Sequence, residues 1–187
     1  MSELTLSPEF VVPSTSGCPW IDHAMGEMGI AAKKGSASNK SVVKYLKSCD
    51  PRYAEDGALA TDETDWCSAF VNWCLAEAGI PGTRHTRARS WIRWGLGFQI
   101  NEPRFGAITV LTRTNDKSLA PRGKGHVAFF WSISGDRLYL LGGNQGRKVS
   151  IKPFRKENLL CYLWPNQLCH LSKSEVGYLT PPSKLFP

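Results

Sequence analysis

Two periodicities divide the chain. In the first half apolar residues recur at steps of three and four; from Trp66 to Ala78 these are Phe70, Val71, Cys74, Leu75 and Ala78, the stripe of an amphipathic helix ended by Gly79 and Pro81. Similar reasoning predicts helices over 20–29 and 39–49 and a short one over 88–94. After Pro103 the spacing changes to short β-branched and aromatic runs between turn residues. These predict strands over 106–113, 126–133, 137–141, 148–153 and 159–164, with Ser134-Gly135-Asp136 closing a hairpin. Helices first and antiparallel strands second make an α+β plan, N-terminal helices packed on a C-terminal sheet of about five strands.

Chemistry concentrates where those elements begin. Asp62, Thr64 and Asp65 are N-cap candidates for the third helix, so Cys67 falls in its first turn, where free N–H groups and the dipole favour a thiolate. His126 opens an apolar strand flanked by glycine, a rigid mount for a base. A third group must hold the imidazole in its useful tautomer. Asn144 is the choice, at the end of strand 137–141, with Gln145 in reserve. Turn chemistry alone also accounts for a Gly-Gly-Asn-Gln run. His23, His85 and His170 have no comparable strand context, and Cys74, seven residues beyond Cys67, reads as core.

These segments resemble a known family. Trp66-Cys67-Ser68-Ala69-Phe70-Val71-Asn72-Trp73-Cys74, Arg89-Ser90-Trp91, Gly106-Ala107-Ile108, Gly125-His126-Val127 and Leu141-Gly142-Gly143-Asn144-Gln145 are similar to bacterial and phage peptidoglycan hydrolases of the CHAP and NlpC superfamily. The likeness includes Pro19-Trp20 and Gly35-Ser36-Ala37-Ser38-Asn39, spans about 19–165, and is greatest to a subgroup of phage endolysins and type VI secretion effectors. It implies a papain-like fold cleaving amide bonds in stem peptides or cross-links, with Cys67 as nucleophile, His126 as general base and Asn144 as orienting residue, although many relatives carry an acid there. Trp66, Ser68, Arg89, Trp91 and Gln145 are the candidate substrate contacts. No metal or organic cofactor is implied. An antibacterial effector would further require a secretion apparatus component and an immunity protein blocking the cleft.

Composition narrows the alternatives. At 187 residues and 42% hydrophobic, the chain is long enough for one domain with its own core, expected over 19–170 between a flexible 1–18 segment and a 171–187 tail. No signal peptide pattern and no membrane-length apolar run occurs, so synthesis in the cytoplasm, delivery to the periplasm or wall, and a monomer without integral membrane association are expected. The six cysteines follow neither a disulfide-framework nor a zinc pattern, although a Cys18–Cys49 bond is open to a periplasmic protein. A net charge of +7 favours anionic polymers. Cations and aromatics interleave over 84–94, as in some single-strand nucleic-acid binders, but Trp91 and Trp94 are spaced to pack one helix face, which favours a flap beside a substrate groove over nucleic acid. Two alternatives to a wall hydrolase stand: another thiol hydrolase or acyltransferase acting on proteins, and a non-catalytic wall- or nucleic-acid-binding module.

Overall fold

The computed structural model describes residues 17–33, 38–50 and 64–166. The expected tails, the N-cap candidate Asp62, and Cys169 and His170 lie outside the described residues, except that the first tail's Gly17 and Cys18 are described. Helices α1 (Pro19–Gly26), α2 (Lys40–Lys47) and α3 (Cys67–Glu77) precede strands β1 (Gly97–Ile100), β2 (Ile108–Thr112), β3 (Gly125–Ser134), β4 (Arg137–Gly142), β5 (Ser150–Arg155) and β6 (Leu159–Pro165). The strands form one antiparallel sheet in the order β1-β6-β2-β3-β4-β5. The α+β plan holds, with six strands in place of about five. The additional strand, β1, is a four-residue edge strand with exposed Phe98 and Gln99, too short to alternate legibly.

Helix α3 is the centre of the molecule. It contacts α1 and α2 on one side and β3 and β4 on the other, so every residue from Cys67 to Leu75 is buried and the expected amphipathic stripe is absent. Around it Tyr45 of α2 packs against Trp66, Phe70 and Trp73 with ring centroids 5.9, 5.3 and 5.1 Å away. Asn39 caps α2, its side chain accepting from the Ser41 N–H at 2.8 Å. The N-cap position of α3 is Trp66, not one of the expected Thr64 or Asp65, and its side chain makes no capping bond.

The segment 142–145 passes very close to α3. A Cβ on Gly143 would lie 2.5 Å from the Trp66 ring and 2.7 Å from Phe70 Cβ, and one on Gly142 would lie 2.6 Å from Ala128 Cβ. Gly143→Ala therefore overpacks two buried side chains and should cost about 1–3 kcal/mol. The expected readout is a lower urea midpoint at unchanged slope, and an unchanged midpoint would show that this approach has slack.

Candidate active site

Cys67 is the first residue of α3, and its sulfur lies against the backbone N–H groups of Ser68 and of Val127, the residue after His126. His126 is held near the start of β3, paired across the ladder with Leu111 of β2, and is buried with its ring stacked on Phe154 at 5.0 Å. Helix terminus and strand thus meet where the Cys67 sulfur touches the residue after His126, and Arg113 lines both the cavity beside Cys67 and the one beside His126.

The imidazole's tautomer follows from its partners. Gln145 donates both amide protons to main chain, to Leu140 O at 3.1 Å and to Ser150 O, which leaves its Oε1 facing His126 Nε2 at 3.1 Å. An amide oxygen only accepts, so Nε2 carries the proton. On the other side Arg113 Nη2 lies 3.2 Å from Nδ1. Guanidinium only donates, so Nδ1 presents a lone pair. This is the tautomer a base needs at Nδ1.

Gln145, rather than Asn144, meets the imidazole. Asn144 has φ of 57° and its side chain turns outward to donate to Asp65 Oδ1 at 2.8 Å. Asparagine tolerates that left-handed conformation, so it serves the turn while the next residue points inward.

The substrate contacts expected at Trp66, Ser68, Arg89, Trp91 and Gln145 are corrected by burial, since all five lie inside the protein. Ser68 Oγ donates to His85 O at 2.6 Å and accepts from Trp91 Nε1 at 2.9 Å. Trp91 packs edge-on against Trp94 at 5.1 Å, so the interleaved segment presents no aromatic surface. Arg89 is fully buried and reaches across to the 114–124 loop, pairing with Asp116 at 2.8 Å and donating to Ser118 O. Its role is to tether that loop.

What does line the cleft is basic. A cavity of about 1090 Å³ beside Cys67 is bounded by Thr64, Asp65 and Arg87 on one side and by Arg113, Arg122 and Lys124 on the other. Arg113 was not singled out by sequence. The signal available was a cation directly after an apolar strand, but its distance from His126 depends on a β2–β3 register that sequence does not fix.

Electrostatics correct the expectation of a thiolate at rest. Burial pushes the Cys67 thiol above its ordinary value, against the opposing pull of the Arg113 charge and the Val127 and Ser68 N–H groups. Burial, then the Arg113 cation, pushes His126 down to about 4, opposed by its bond to Gln145. Both shifts favour the neutral thiol and the neutral imidazole over the ion pair. Cys18, Cys49, Cys74 and Cys161 are also buried free thiols, so no Cys18–Cys49 bond is formed, and burial pushes Cys74 well up, as befits core.

A stability prediction follows from His126. Its folded value of about 4 lies below the ordinary 6.5, so the unfolded chain binds the extra proton between those values. The contribution is complete above about pH 6.5 and is lost as pH falls towards 4, a change of about 3 kcal/mol for a shift of that size. Urea midpoints should thus fall more steeply between pH 7 and pH 4 in wild type than in His126→Gln; parallel falls would count against it.

Residues 60–144 match the family model of the CHAP domain, a family of papain-like cysteine peptidases and amidases. The matched span contains Cys67, Arg113 and His126 and ends one residue before Gln145. No curated protein and no solved structure matches the chain.

Proposed function

With a CHAP domain over residues 60–144 as the starting point, we propose that this chain is a cysteine-dependent peptidoglycan amidase or endopeptidase acting on stem peptides or their cross-links. The observation that carries the reading is the tautomer of His126, with a lone pair at Nδ1 and a proton at Nε2 anchored by Gln145. The ring stands one residue before Val127, whose N–H meets the sulfur of a cysteine at a helix N-terminus. Those groups suit acyl transfer through a thioester. As the Cys67 sulfur bonds to the amide carbonyl carbon, Nδ1 takes the thiol proton. It then returns that proton to the departing amine as the C–N bond breaks. Water, deprotonated by the same nitrogen, cleaves the thioester and restores the thiol. The first-turn N–H of Cys67 would meet the developing oxyanion. Gln145 takes the orienting role, and Asn144 supports the turn that presents it.

The basic cleft suits a wall polymer rich in carboxylates. Among the described residues no helix is long and apolar enough to cross a membrane. Delivery by a type VI apparatus or release during phage lysis is the biological setting we favour, on the strength of the resemblance to effectors and endolysins. In the effector setting, a neutralising partner would insert acidic groups into this cleft.

Digestion of purified Gram-negative sacculi followed by mass analysis of released fragments tests the reading. New muropeptides would establish wall hydrolysis and identify the scissile bond. Intact sacculi together with cleavage or acylation of a protein substrate would reassign the site to another thiol enzyme, and binding without turnover would leave a binding module.

A further inference from the structure

The lone pair that the reaction needs is the one that Arg113 occupies. Arg113 follows β2, and its Nη2 sits 3.2 Å from Nδ1 of His126. A capped lone pair cannot accept the Cys67 proton, so the unliganded site is held inactive by its own cation.

The surroundings indicate what would draw that cation away. Among the described residues no carboxylate pairs with Arg113, and none pairs with Arg87, Arg122 or Lys124, which line the same cleft. Among the described residues Asp65 is the one carboxylate on the lining, and its Oδ1 already accepts from the Asn144 amide. Guanidinium binds carboxylate through two parallel charge-assisted bonds, about twice as strong as a neutral one. Exchange of an imidazole nitrogen for a substrate carboxylate is therefore favourable for Arg113. It also neutralises the charge that opposes protonation of His126.

We propose that Arg113 is a positioning residue that caps His126 Nδ1 in the unliganded enzyme and shifts onto a free carboxylate of the substrate, so that the cleft accepts acyl donors carrying a carboxylate beside the scissile amide and frees its base only for them. The proposal rests on the hydrolase reading above and adds to it a chemical class of substrate and a gate. Stem peptides with free carboxylates belong to that class, and their amidated forms do not.

The test compares muropeptides bearing the free carboxylate with the same muropeptides carrying a carboxamide. Wild type should prefer the carboxylate in kcat/KM by at least about 10-fold, the size expected when hydrogen bonds to a charged group are lost at a partly exposed side chain. Arg113→Gln should reduce that preference to about 2-fold or less, and should cleave the amidated substrate faster than wild type because its base is uncapped. A residue that only supported the fold would not increase a rate.

The acidic limb of kcat/KM should also move up in Arg113→Gln. Among the described residues the groups that meet the ring are Arg113 after β2, which is charged, and two neutral ones, Gln145 before β5 and Phe154 within it. Equal cleavage of both substrates by wild type, or a full preference retained in Arg113→Gln, overturns the proposal.

A measurement without turnover separates failure of the gate from failure of the hydrolase reading. In protein labelled with ¹⁵N-histidine, titration with N-acetylglutamate should shift the His126 Nδ1 resonance of wild type, while its diamide should not. Arg113→Gln should be insensitive to both. An Nδ1 signal unmoved by N-acetylglutamate refutes the gate whatever the enzyme cleaves.

Discussion

Replacing Cys67 by alanine is expected to lower muropeptide release from sacculi by at least about 10,000-fold while the protein still folds. The size reflects covalent chemistry: without the sulfur no thioester forms, and the remaining donors only bind and polarise the amide. The side chain is small and the surrounding core is held by Phe70, Trp66 and Tyr45, so melting should change by only a few degrees. Cys74→Ala is the matched control. It removes a thiol from the same helix, two turns deeper, and should affect stability without affecting turnover. Release that persists in Cys67→Ala, with circular dichroism unchanged, would remove the nucleophile from this account.

The second large effect is at Gln145. Gln145→Leu keeps most of the volume but leaves Nε2–H of His126 without an acceptor and the Leu140 and Ser150 carbonyls without their donor. The ring is then free to hold its proton at either nitrogen. Loss of the correct tautomer should lower kcat by about 100- to 1,000-fold with little change in KM, somewhat less than in triads whose third member is a carboxylate. Asn144→Ala should stay within about 5-fold of wild type, since that side chain bonds Asp65 outside the ring's reach. The reverse ranking of the two variants would restore Asn144 to the orienting role.

The order of those two amides marks the limit of what the sequence makes legible. α3 and β3 are readable because a long buried helix and a β-branched, aromatic strand announce themselves over many residues, and because cysteine and histidine begin them. Which of two adjacent side chains points inward depends on a single positive φ at residue 144, which the chain pattern does not display. The chemistry of asparagine supplied a clue, since it is the better turn residue of the two. Trp66, Trp91 and Arg89 show the converse problem: large or charged residues near a nucleophile resemble a binding surface, yet Trp91 finds Ser68 inside the protein and Arg89, itself buried, reaches out to the exposed Asp116. Arg113 needed the β2–β3 register to be seen at all.

Arg89 has a mechanical consequence. It belongs to the short helix Ala88–Arg93, directly beside Arg87 and Ala88 on one lip of the cleft, and its guanidinium grips the loop that carries Arg122, Gly123 and Lys124 on the other. A Cβ on Gly123 or Gly125 would lie 2.8 Å from Arg89 atoms, so the loop also rests directly on this side chain. Arg89 therefore ties the two lips together, and a ligand or inhibitor that pries at either of them loads the same ion pair.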